Sequence, residues 1–191
     1  MRKVALVMLL TAMFCVLQPS HSSVANVELG KFDKVEWYLT YSEKFMQHPS
    51  EVLKLKSKVE KLKEKYHLLY KDEADLIETL TLVTAYADKT FTPYDLTPLI
   101  GVESKFKRTA RSNVGAKGLV QLMDEWQKEL PYLKDPYDKK QAIRACVDIL
   151  HIKKGKNGSK SKAFERYNGA GPEARKYVRD IRKFRRDLLK A

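Results

Sequence analysis

Beyond residue 25 the apolar residues of this chain recur at steps of three and four, and no segment sustains an apolar–polar alternation. A strand buries every second residue and a helix buries a stripe, so this pattern restricts the chain to a mainly helical fold with little or no sheet. The spacing predicts a helix over Val27 to Gln47, with Trp37, Tyr38, Tyr41 and Phe45 grouped on it, and His48-Pro49-Ser50 breaks it. Ser50 can cap a second helix, Glu51 to Tyr70. Its stripe of Val52, Leu55, Val59, Leu62, Tyr66 and Leu69 makes a short heptad seam flanked by Lys and Glu. Such a seam either packs inside its own domain or offers helix 51–70 to a protein partner. Asp72 can cap a third helix that runs to about Ala87. Asp88 to Thr92 is a polar break and divides an N-terminal helical region, residues 26–90, from residues 91–191. The Lys-, Gly- and Ser-rich segment Lys153 to Lys162 reads as a mobile surface loop.

The start of the chain reads differently. Arg2 and Lys3 precede an apolar run from Val4 to Leu17, and small and polar residues follow as far as Ala25. That order is the pattern of a secretory signal peptide over residues 1–25, and the run is too short for a spanning helix. Cleavage after Ala25 removes two positive charges and no acidic ones, so the net charge falls from +13 to +11. A surface of that sign attracts polyanions. With export, an anionic wall or lipid is the expected partner, and nucleic acid is not. Cys146 would then be the one cysteine left, which leaves no internal disulfide. His21, His48, His67 and His151 show no metal-ligand spacing, so neither metal nor cofactor is expected.

Three segments in the second half carry chemistry. Before the first, Leu99-Ile100-Gly101-Val102-Glu103-Ser104, the pair Thr97-Pro98 reads as a helix start. Glu103 then falls near the C-terminal end of a short apolar helix. The negative end of the helix dipole and an apolar wall both favour its protonated form, as a general acid requires. In the second segment, Ser112 precedes a turn from Asn113 to Gly118, and Leu119 is expected to open a helix on which Gln121 is the odd polar residue. On a cleft wall such a Gln would hydrogen-bond a sugar amide or hydroxyl. In the third, Ala163 to Pro172, Tyr167 ends a helix, Asn168 and Gly169 stop it, and Pro172 opens the last one. Each segment alone also suits an ordinary turn or helix end.

Together the three resemble the catalytic domain of soluble lytic transglycosylases, which share a fold with goose-type lysozyme. The family pattern is a Glu-Ser pair, a Ser before Gly-Ala-x-Gly-Leu-Met-Gln, then Ala-x-x-Tyr-Asn-x-Gly, and a Tyr in the next helix. Glu103-Ser104, Ser112 with Gly115 to Gln121, Ala163 to Gly169, and Tyr177 match it in order and approximate spacing. Val120 replaces the usual Met, and Asp124 stands where Pro is common. The resemblance spans about residues 94–181 and implies a lysozyme-like domain preceded by a helical extension. It implies Glu103 as the single acid/base and Tyr167 hydrogen-bonding near it, with Ser112 and Gln121 contacting the glycan or orienting Glu103, Asn168 supporting the site, and Ser104 and Tyr177 also at the glycan. It also implies cleavage of peptidoglycan strands with a 1,6-anhydro product. A hydrolytic muramidase and an inactive wall-binding protein are the alternatives on the same fold.

The last helix, Glu173 to Lys190, sets Ala174, Tyr177, Val178, Ile181, Phe184 and Leu188 on one face. Arg175, Arg179, Arg182, Lys183, Arg185 and Arg186 lie mostly on the other, either solvated or held against anionic wall or membrane.

Overall fold

The computed structural model describes residues 47–191. The expected signal peptide and all but the last residue of the expected helix Val27–Gln47 lie outside the described residues. Eight helices are described: α1 Pro49–Lys61, α2 Lys63–Tyr66, α3 Glu73–Tyr86, α4 Pro93–Ser104, α5 Glu125–Glu129, α6 Lys139–Lys154, α7 Lys160–Asn168 and α8 Gly171–Lys190. Among the described residues there is no strand, and only isolated bridges pair Arg111 with Lys117 and Lys117 with Leu122. The mainly α expectation therefore holds.

The centre of the fold is α4, which is buried along most of its length from Asp95 to Ser104. It does not begin at Thr97-Pro98 as its sequence suggests. Thr92 and Asp95 form a reciprocal capping box, with Pro93 inside the first turn. Two orphan N–H groups satisfied at once make the stronger start, and Pro98 is carried inside the helix at the loss of one backbone hydrogen bond.

Helix α8 lies along α4. Its expected apolar face is its observed one: Ala174, Tyr177, Val178, Ile181, Phe184 and Leu188 are all buried. The two helices approach closely because of Gly101. A Cβ at this position would stand 2.7 Å from the Phe184 ring. Glycine inside a helix costs about 1 kcal/mol relative to alanine, and here it lets a bulky ring sit on the α4 backbone. Arg185 reaches Asp95 near the start of α4, and Tyr177 reaches Glu103 near its end. The eight-residue intervals match on both helices, so α4 and α8 run antiparallel.

Corrections elsewhere have local causes. α1 begins at Pro49, and Ser50 lies inside it without capping, because Pro at the first position needs no N–H partner. The seam does not run straight to Leu69. The helix breaks at Leu62 and ends at His67 in a left-handed conformation, φ 51°. The chain turns there, so Leu68 is buried and Leu69 is 53% exposed. The Tyr66 ring lies 4.0 Å from that of Phe184, so the seam ends against α8. Asp72 caps α3 as expected, accepting from the Asp75 amide. Half of the segment 153–162 is helical, because α6 runs to Lys154 and Ser159 caps α7 by accepting from Lys162 N; the loop between them is residues 155–159.

Candidate active site

Glu103 lies one residue from the end of α4, and the chain after it is tightly bent. Lys105 and Phe106 both have left-handed φ, 56° and 67°, which non-glycine residues rarely adopt. Phe106 is anchored by burial, and the Lys105 carbonyl accepts from the Leu69 amide at 2.6 Å. Backbone held in such regions is maintained by surrounding structure and gathers at functional sites.

The Glu103 carboxyl is largely surrounded by protein and accepts a 2.5 Å hydrogen bond from the Tyr177 hydroxyl. Burial pushes it from the ordinary 4.5 up to about 7, and the Tyr177 bond pulls it partly back. Burial and the neighbouring Glu103 hold the Tyr177 hydroxyl well above the phenol range, so it remains a donor. Tyr167 is half-buried beside them and also feels the Glu103 charge. Its hydroxyl donates to the Val120 carbonyl at 2.8 Å, with the buried Cys146 thiol beside it. An acid that titrates near neutral pH, with phenols that do not, can give up a proton and take it back.

Tyr177 also lines a cleft of about 310 Å³, together with Val102, Asn168, Glu173, Lys176 and Asp180. The expected residues therefore divide. Glu103, Tyr167 and Tyr177 come together, and Asn168 lines the adjoining cleft. Ser104 is buried and donates to the Ile100 carbonyl of its own helix. Ser112 accepts from the Ala116 amide and holds the turn. Gln121 donates its side-chain amide back to the Gly118 carbonyl at 3.0 Å. The hydrogen bond to Glu103 comes from Tyr177 rather than from Tyr167.

The helix expected at Leu119 does not form. Lys117 and Leu122 pair their backbones in both directions, and Gly118 and Gln121 take positive φ of 77° and 51°. Leu119, Val120 and Leu122 are buried by this tight loop instead. Gly118 is required twice over, because a Cβ there would also meet the Pro136 carbonyl oxygen at 2.2 Å. Helix α5 begins only at Glu125. The loop still serves the site, since its Val120 carbonyl is what Tyr167 grips.

Sequence reasoning missed Cys146 behind Tyr167 and the acidic pair Glu173 and Asp180 in the cleft. The second omission had a signal: 173, 176, 177 and 180 share one flank of a helix by their spacing. Lys176 and Asp180 form an ion pair at 2.9 Å.

A family model described as a transglycosylase SLT domain matches residues 82–189, more than half of the chain. Comparison with curated proteins and with solved structures gives no match.

Proposed function

This chain belongs to the transglycosylase SLT domain family, and on that premise we propose that it cleaves the bond between N-acetylmuramic acid and N-acetylglucosamine, with Glu103 as its single acid/base. Membership supports a lytic transglycosylase-type action on peptidoglycan; the bond, the acid and the product are the proposal. The observation that carries it is the Glu103 carboxyl, raised to about 7 by burial and held by Tyr177 beside a cleft.

Protonated Glu103 donates to the glycosidic oxygen as the bond breaks. The acetamido group of the muramic acid supports the positive charge that develops, which is substrate assistance. Glu103, now ionised, takes the proton of the same sugar's 6-hydroxyl, and that oxygen closes on the anomeric carbon. The acid is restored, and the product ends in a 1,6-anhydro ring. Burial serves both halves of the cycle, since a carboxyl that titrates near 7 is both a competent acid and a competent base. The apolar run at Val4–Leu17 supports export, which would put the enzyme on the side of the membrane where its substrate lies.

A second reading has one observation in its favour. Glu173 and Asp180 line the same cleft, so a carboxylate is at hand to activate water. Hydrolysis would then replace ring closure. Digestion of purified peptidoglycan followed by mass analysis of the fragments decides between them. Anhydro ends lighter by one water than reducing ends are the expected result, and reducing ends alone would replace the transglycosylase with a hydrolase.

Tyr177→Phe tests the hydrogen bond. Its hydroxyl favours the ionised Glu103, so without it the acid should titrate higher. The alkaline limb of kcat/KM, which reports the free enzyme's acid, is then expected to move to higher pH. An unmoved limb would mean that Tyr177 does not hold the acid.

A further inference from the structure

Lysines outnumber arginines 27 to 10 in this chain, yet five of the ten, Arg175, Arg179, Arg182, Arg185 and Arg186, stand within twelve residues of α8. Their surroundings differ. Arg185 turns inward to Asp95, and the neighbouring Lys176 pairs with Asp180. Arg175, Arg179, Arg182 and Arg186 are exposed, and among the described residues none forms an ion pair. Arg182 makes one neutral hydrogen bond, to Ser161.

Their spacing is four, three and four residues, which sets them in a single file along the helix. At 1.5 Å per residue the file is about 16 Å long, with a guanidinium every 5 Å or so. Exposed Lys183 flanks it. The file runs along the outer ridge of the helix, while the cleft residues Glu173, Tyr177 and Asp180 lie on another flank.

We propose that this ridge is a docking rail for a linear anionic polymer whose repeats carry phosphodiesters. Three observations favour that partner. The guanidinium fork engages two oxygens of one phosphate, which an ammonium does not, and the ridge is built of arginine in a lysine-rich chain. Like charges set this close repel one another, and a polyanion laid along the row relieves that repulsion. The row is also a line rather than an area. A helix that lies on a membrane presents a broad apolar face to it. The apolar face of α8 is spent on α4, and Leu189 is the one large apolar side chain that the helix exposes. A protein held on such a polymer would keep its cleft beside the strand it cuts, but the rail itself does not depend on the chemistry at Glu103.

The test uses the full chain and poly(glycerol phosphate) as the probe, with neutral dextran and vesicles of one part phosphatidylglycerol to three parts phosphatidylcholine as the other arms. Binding to the phosphate polymer is expected to weaken steeply with added salt, while dextran does not bind. The double variant R179E/R182E should weaken it by about ten-fold or more. A control, K128E/K156E, makes the same change in net charge at two exposed lysines elsewhere and should cost far less. All four substituted residues are exposed, so both variants are expected to melt as the parent does, and a loss of binding that tracks a lowered melting temperature would overturn the rail. Equal losses in the two variants would reduce the rail to bulk charge and overturn it. Tighter binding to the vesicles than to the polymer would also overturn it, by giving the face to a membrane.

Discussion

Glu103→Gln should abolish the digestion of purified peptidoglycan and, in the same molecule, raise the stability of the fold at alkaline pH. The first half follows from the chemistry. General acid–base catalysis by one group is worth about a hundred- to ten-thousand-fold, and a single-carboxyl mechanism has no second group to share the loss. The second half follows from linkage. The Glu103 carboxyl titrates near 7 in the folded chain against 4.5 ordinarily. Below 4.5 it is protonated in both states, and folding does not feel it. Between those values the folded state keeps the proton and the unfolded state releases it. Stability therefore falls as pH rises through this window, and the full cost is present above it. With some water access to the carboxyl, that cost is on the order of 2 kcal/mol. Glutamine removes the charge, keeps an oxygen for Tyr177 to donate to, and escapes the penalty. Melting curves of parent and variant should coincide near pH 4 and separate by pH 8, with the variant higher. A variant that still clears peptidoglycan at near-normal rate would disprove the assigned acid. One that is less stable at pH 8 would disprove a carboxyl whose burial outweighs its bond from Tyr177.

Asp95→Ala is expected to lower the melting temperature by about 10 °C through a loss of about 3 kcal/mol. Its side chain is buried at 5% exposure and serves three helices at once. It completes the capping box with Thr92 at the start of α4, pairs with Lys160 of α7 at 2.8 Å, and pairs with Arg185 of α8 at 3.0 Å. These are the helices that carry Glu103, Tyr167 and Tyr177. The loss is held below that of a fully buried pair because both cations are 41% exposed and recover water when the carboxylate goes. Burial alone would push the Asp95 carboxyl up, but the Lys160 ammonium and the two Thr92 donors outweigh it and hold it below the usual range. Its folded pKa is therefore depressed. The stability it contributes is present above the ordinary carboxylate value and is lost as pH falls through the depressed one. Asp95→Asn should keep part of the cap, lose both ion pairs and flatten the acid side of the stability profile. Unchanged melting in the alanine variant would dismiss Asp95 as the junction of the three helices.

Much of this was legible in the residues. The six-residue face of α8 was readable from its spacing, because amphipathic periodicity is a property of a single helix. The Asp72 cap and the stop at Asn168-Gly169 were readable because each is settled within a turn or two of chain. Competing local signals were not resolved so easily. Thr97-Pro98 and Thr92-Pro93 both look like helix starts, and only the reciprocal bond with Asp95 decides for the second. At Leu119 a helical pattern lost to a loop, because Lys117 finds its backbone partner at Leu122.

The sequence by itself determined the helical class, the order of the three motifs and the choice of Glu103 as the residue to watch. It could not determine which tyrosine meets that carboxyl, since the two partners stand 74 residues apart. The choice of Tyr177 over Tyr167 depends on how far α8 slides along α4. That register is set by the Phe184 ring seated on Gly101 and by Arg185 reaching Asp95. Periodicity and capping act over three or four residues, within reach of a local reading. A hydrogen bond between two helices is decided by their packing, and so the partner of the acid became visible only in the folded chain.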